Sequence, residues 1–209
     1  MALRRRPDKT IPLGEVRFVV FDTETSGLDL SKNRLLSIAA VSMHGLDLCL
    51  DDTFEAVVAQ SDVGGASAAV VHGLVSSDLV GGRPEDEAVA RFLTFAGQSV
   101  LVAHHVAFDL RMLRKALADH RRVKVWNPVV DTAQLARRVE VGPMSSNDAR
   151  GADDREDYRL DTLVTRYDIE IPERHTAAGD ALATALLFQR LLRRAEKRGI
   201  RTLGDLLSR

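Results

Sequence analysis

The chain has a single cysteine, Cys49, among 209 residues. An internal disulfide is therefore excluded, and a reducing compartment, the cytoplasm, is the expected setting. Cys49 lies in an apolar run and reads as a core residue. Long apolar stretches are missing as well. The longest are strand-length or broken by charge, so no segment predicts a membrane span. The N-terminal residues 1–7 are basic, but no apolar stretch follows them, which argues against a secretory signal. Neither sign of charge is in excess: 29 Lys and Arg stand against 30 Asp and Glu, and the net charge of −1 does not announce a polyanion-binding protein. The cations are nevertheless gathered. Arg4, Arg5, Arg6 and Lys9 form one group, Arg111, Arg114, Lys115, Arg121, Arg122 and Lys124 a second, and Arg190, Arg193, Arg194, Lys197, Arg198 and Arg201 a third. Each could touch phosphate, but taken alone each reads as a solvated face.

What is present suits one globular domain: 45% apolar and 28% charged residues, with length enough for one good-sized core. Residues 16–22 read as a buried strand. Residues 35–41 and 46–58 read as two more, joined at His44-Gly45 in an antiparallel meander. Pro84 suits the start of a helix over 85–96. A short strand at 99–103, a helix over 107–119, a brief strand at 129–130 and a helix over 132–139 follow. Asp131 reads as the cap of the last of these rather than as a metal ligand. Residues 140–157 are rich in Gly, Ser, Asn and Asp and predict a loop, mobile or partly disordered. Helices are expected over 158–167, from 177 to about 198, and over 203–207. The order predicts a single α/β domain around a mixed sheet. Residues 1–14 read as a flexible arm, 15–199 as the domain, and 200–209 as a short C-terminal helix.

The run Phe18 to Gly27 carries Asp22 and Glu24 at the end of a strongly apolar strand. Side chains alternate along a strand, so residues 22 and 24 share one face. Two like charges half-buried together are costly unless a cation neutralises them, and a hard divalent ion takes oxygen ligands of this kind. Two later segments offer partners. Asp109 follows Phe108 on the first turns of a helix, where a carboxylate is also explained by capping. Asp180 falls among Ala181, Ala183, Leu186 and Leu187, facing at least partly inward, where an unpaired carboxylate would be expensive. His175 belongs in the loop before that helix, able to swing over a site that Asp180 helps to hold.

Asp22-x-Glu24 on a first strand, Phe108-Asp109 in the middle and His175-x4-Asp180 near the end resemble the three motifs of the DEDDh 3′–5′ exonucleases. This is the group of the proofreading epsilon subunit of bacterial DNA polymerase III. The likeness runs over residues 17–193. His72-Gly73-Leu74 is similar to a further element of the family. Tyr158-Arg-Leu-Asp-Thr-Leu, with Tyr167-Asp-Ile, resembles its lead-in to the last motif. One position departs: the family commonly has Asn where this chain has His105. That change leaves the proposed metal ligands in place and bears on substrate preference.

The resemblance implies a ribonuclease-H-like fold, a meander plus short parallel strands flanked by helices. It implies two Mg2+ ions, with Mn2+ as a substitute, held by Asp22, Glu24, Asp109 and Asp180. Those four, with His175 as acceptor of the proton of the attacking water, are the implied catalytic residues. Thr23, Thr25, Ser26, Leu28, His72, His105 and Phe108 are the implied substrate-binding residues. The implied activity is removal of nucleoside 5′-monophosphates from DNA 3′ ends, of proofreading or repair type. Single-stranded or frayed 3′ ends, of DNA or of RNA, and a DNA polymerase subunit are the implied partners, with no membrane among them. An RNA 3′-end trimming exoribonuclease is the alternative. A non-catalytic polymerase- or nucleic-acid-binding module is disfavoured, because all four carboxylates and the histidine are kept.

Overall fold

Strand β1 (Arg17–Thr25) is the axis around which the protein is built. The computed structural model describes residues 7–27, 29–59, 82–118, 124–142, 157–171 and 174–208. Strands β2 (Leu35–His44) and β3 (Asp47–Val57) extend β1 on one side as the expected antiparallel meander. On the other side β4 (Val100–Ala103) and β5 (Val129–Asp131) run parallel to β1, which gives a five-stranded sheet in the order β3-β2-β1-β4-β5. Helices α1 (Glu85–Ala96), α2 (Ala107–Ala116), α3 (Thr132–Glu140), α4 (Leu160–Arg166), α5 (Ala177–Lys197) and α6 (Leu203–Leu207) cover it. This is the mixed sheet flanked by helices that the order of elements predicts.

The apolar, β-branched and aromatic run Phe18 to Phe21 is buried on both sides of the sheet. Phe18 and Val20 belong to one cluster with Leu187 and Phe188 of α5. Val19 and Phe21 belong to the other, with Val89 and Phe92 of α1 and Met112 and Leu113 of α2. Aromatic pairs pin both faces: Phe18 meets Phe188 edge-on and Phe21 lies against Phe92, each with ring centroids 5.0 Å apart. Burying each of these rings contributes roughly 1.5–3 kcal/mol. Small residues on α5, among them Ala181, Ala183 and Ala185, are buried and let that helix approach the sheet closely. Its first turn is capped by Thr176, which accepts from the Gly179 N–H.

The two sides of β1 differ in length. Pairing with β4 covers Phe18 to Val20, whereas pairing with β2 continues to Thr25. The C-terminal part of β1 therefore overhangs β4. Into that gap the chain turns from Ala103 through His104 and His105 to α2. His104 fixes the turn. Its Nδ1 lies 2.8 Å from the Thr132 hydroxyl and its Nε2 2.9 Å from the Tyr158 carbonyl oxygen. A carbonyl can only accept, so Nε2 carries the proton and Nδ1 accepts from Thr132. Burial, with the neighbouring His105, pushes the His104 pKa down to about 3, and the ring is neutral.

Several expectations are corrected. Strand β1 runs to Thr25 rather than ending at residue 22, because β2 supplies hydrogen bonds beyond the apolar run. The first hairpin turns at Gly45-Leu46 rather than His44-Gly45; Gly45 takes a φ of 55° and donates to Val16 O. Cys49 is half-buried on the edge strand β3 rather than in the core, next to a register break between Val41 and Ser42. Residues 7–14 are not a loose arm. Leu13 N donates to Arg201 O, Leu203 N to Ile11 O and Gly204 N to Lys9 O, and Leu13 is 2% exposed. Such a short pairing carries no sequence periodicity. Nor does Glu140 belong to the loop: it ends α3, and its carboxylate accepts from Arg166 and Tyr167. Helix α2 ends at Ala116, short of residue 119, and α4 begins at Leu160, after 158. Residues 1–6, Leu28, His72-Gly73-Leu74 and 143–156 lie outside the described residues.

Leu13→Ala should destabilise the protein by about 2–5 kcal/mol in urea unfolding; an unchanged midpoint would show that residues 7–14 are unpacked. The second expectation concerns pH. The His104 pKa is about 3 in the fold, below its ordinary 6.5. The unfolded chain binds the proton first, so this contribution is complete above pH 6.5 and is lost as pH falls toward 3. The stability gap between wild type and His104→Asn should narrow by roughly 2 kcal/mol between about pH 7 and 5. Carboxylate titrations are common to both proteins and cancel; a constant gap would refute the neutral ring.

Candidate active site

The alternation of β1 distributes the site between the two faces of the sheet. Asp22 and Glu24 continue the Phe18–Val20 face, toward α5, whose first turn carries Asp180. One ligand oxygen from each of Asp22, Glu24 and Asp180 lies within 4.8 Å of the others. Thr23 looks the other way and donates to Asp109 Oδ1 on α2 at 2.6 Å. Asp109 is 6% exposed and borders the same centre, where its charge acts on both Asp22 and Glu24. The β1 overhang leaves room for this convergence: pairing with β4 ends at Val20, and Asp22 to Thr25 pair with β2 alone.

The electrostatics record a shortage of positive charge. Burial, then the charges of Asp109, Glu24 and Asp180, hold the Asp22 carboxyl well above the usual range, with Arg174 pulling the other way. Burial, then Asp180 and Asp109, pushes Glu24 up to about 8. Burial also raises Asp109, against the Thr23 hydrogen bond. An all-oxygen cluster that resists carrying its full negative charge fits a hard divalent cation. The residues present therefore suit the implied metal, with Asp22, Glu24 and Asp180 as direct candidates and Asp109 beside them.

His175 is exposed at the entrance to α5, with a φ of 65°, and its backbone N–H donates to Asp180 Oδ1 at 3.2 Å. His105 is likewise exposed, with a φ of 53°; its N–H donates to Asp131 Oδ1 and its ring stands 4.5 Å from that of His104. Asp131 caps α3 by accepting from Ala133 and Gln134 N–H groups, as expected. Phe108 is partly buried on the first turn of α2. The side chains of Thr23, Thr25 and Ser26 are engaged within the chain: Thr25 donates to Gly27 O and Ser26 to Asn33 Oδ1. These hydroxyl bonds leave the main chain of Thr23–Ser26 as the part of this segment that could meet a substrate, and the Thr23 hydroxyl acts on Asp109.

Sequence reasoning passed over Arg174, Asp161 and His104. Arg174 Nε donates to Asp180 Oδ1 at 2.8 Å, and its Nη2 pairs with Asp161 of α4. The signal was an arginine six residues from an inward aspartate. His104 could have been suspected as a polar residue closing an apolar strand.

A family model described as RNase_T: Exonuclease matches residues 19–188. The chain is 37% identical over 201 residues to the DNA polymerase III subunit epsilon-like protein of Rhodobacter capsulatus, covering 94% of this chain and 27% of that protein. It is 34% identical over 191 residues to the PolC-type DNA polymerase III of Halalkalibacterium halodurans, covering 91% of this chain and 12% of that one. It thus spans less than a third of the length of these curated relatives. Among solved structures, E. coli Exonuclease I in complex with a dA16 oligonucleotide superposes with a TM-score of 0.67 at 17% identity, over 88% of this chain and 42% of that one. Exonuclease X in complex with 5′ overhanging duplex DNA gives 0.64 at 18%, over 92% and 99%. The fold is the ribonuclease-H-like fold of these exonucleases. With the family model spanning most of its length, this chain belongs to the RNase T exonuclease family.

Proposed function

We propose that this chain is a metal-dependent 3′–5′ exonuclease that removes nucleoside 5′-monophosphates from DNA 3′ ends, of proofreading or repair type. The observation that carries the reading is the Asp22, Glu24 and Asp180 cluster, with ligand oxygens within 4.8 Å and too little positive charge around it. Its family membership is that of exonucleases. The solved relatives named above hold DNA oligonucleotides, and the curated relatives are DNA polymerase III proteins, which favours DNA over RNA and a polymerase partner.

Asp22, Glu24 and Asp180, with Asp109, would hold two divalent cations, Mg2+ or Mn2+. When bound, such ions lower the pKa of an attacking water and stabilise charge on the scissile phosphate and leaving oxygen. His175, exposed beside Asp180, would take the proton of the attacking water; its exposure and its backbone bond to Asp180 support the role. Its position in a turn, rather than within α5, gives the ring freedom to meet the substrate. Phe108 and His105 flank the start of α2 and offer ring surface to a terminal nucleotide, a contact that tolerates any base. Thr23 keeps Asp109 aligned through its hydroxyl.

End-labelled single-stranded DNA should be shortened from its 3′ end to 5′-mononucleotides with Mg2+ and left intact with EDTA. No metal-dependent release would sink the enzyme reading, and faster degradation of RNA than of DNA would sink the substrate assignment. Asp22→Asn should abolish cleavage with the fold kept. His175→Ala should slow turnover by about 10²–10⁴-fold, while Mn2+ binding stays near wild type; an unimpaired rate would remove His175 from the proton-transfer role.

A further inference from the structure

Asp180 presents two oxygens, and one is already claimed. Its Oδ1 accepts from Arg174 Nε at 2.8 Å and from the His175 backbone N–H at 3.2 Å. Oδ2 is then the oxygen left to face a cation. Arg174 is itself held from outside. Its Nη2 pairs with Asp161 Oδ1 on α4, a helix that carries none of the proposed metal ligands. The arginine side chain is 18% exposed, and its Nη1 is buried without a hydrogen-bond partner among the described residues. A guanidinium so enclosed is kept in place by its two carboxylates rather than by water, and its planar fork can hold both at once.

Resting on the metal-centre reading above, we infer that Arg174 is a positioning residue that orients Asp180 for the cation, braced from α4 by Asp161. The opposite role is also physically clear. A fixed positive charge beside three carboxylates repels an incoming cation, and on charge alone its removal should tighten metal binding. The geometry favours orientation. The ion pair uses the Asp180 oxygen that the His175 main chain also holds, so Arg174 and the cation need not compete for one atom. The brace also fixes Asp180 and the His175 backbone together, and both matter to the proposed chemistry.

The test is Mn2+ affinity by titration calorimetry on metal-stripped protein, with thermal melting to verify folding. Arg174→Gln should weaken Mn2+ binding by about ten- to a hundredfold. Arg174→Lys should weaken it as well, because one ammonium keeps the charge but cannot span both carboxylates. Asp161→Asn, whose side chain is 69% exposed and touches no proposed ligand, should give a smaller loss in the same direction. Unchanged or tighter binding in Arg174→Gln, or wild-type binding in Arg174→Lys, would overturn the inference. Should Arg174→Gln fail to fold, Asp161→Asn decides, and unchanged affinity there rejects the brace. Asp22→Asn separates the two readings. If it abolishes Mn2+ binding while the Arg174 and Asp161 variants bind normally, only the inference falls. If wild type binds no Mn2+ that Asp22→Asn removes, the metal centre and the inference fall together.

Discussion

The mutual repulsion of carboxylates at the end of β1 is the constraint on which the rest of the structure depends. Left to themselves, Asp22, Glu24 and Asp180 would move apart until water screened them. They cannot. Asp22 is in register with Ala39 and Glu24 with Ser37, so the β1–β2 ladder fixes their spacing. Aromatic pairs clamp β1 from both faces one turn of the pleat earlier. Asp109 and Asp180 each sit in the first turn of a helix, where the macrodipole offers partial compensation. The fold thus holds together, partly withdrawn from water, a group of charges that it only partly balances, and the remaining imbalance is what a cation would relieve.

The way the charges reach one place follows from strand geometry. Period-two alternation sends Asp22 and Glu24 toward α5 and Thr23 toward α2. Were β4 as long as β2, it would stand where these groups meet. Its stop at Ala103 opens the space, and His104 keeps the exit from β4 in shape by reaching to Thr132 and to the Tyr158 carbonyl. Two histidines near the centre take left-handed backbone angles, His105 at 53° and His175 at 65°. Such angles are uncommon outside glycine but favour Asn, Asp and His. This gives a physical reason why histidine can stand at 105, where the family commonly has Asn: both residue types accept the turn.

The site was legible where chemistry is written along the chain. A continuous apolar run ending in two acids reports a buried strand and a charged tip, and both are found at β1. An aspartate embedded among Ala181, Ala183 and Leu187 reports an inward charge, and Asp180 is one. Contacts that depend on which face of an element meets which neighbour were not legible. The bond from Thr23 to Asp109 joins residues 86 positions apart, and no local pattern announces it. Nothing local to Arg174 shows that it spans from Asp180 to Asp161 on another helix. Cys49 misled because an apolar stretch on an edge strand looks like one in the core. The first residues misled in the opposite sense, as a pairing of a few main-chain groups leaves no pattern of polar and apolar positions.

That terminal pairing has a bearing on how such a domain can be joined to other chains. Residues 9–13 and 201–204 are laced together beside Val16, where β1 begins, whereas the carboxylates crown the point where β1 finishes. The first and last described segments are therefore side by side at the pole away from the acidic centre. A polypeptide fused before residue 7 or after residue 208 would tether the molecule by its foot and leave its mouth open. The same arrangement would let the whole unit be inserted into a loop of a host protein, because two adjacent attachment points demand little of the host.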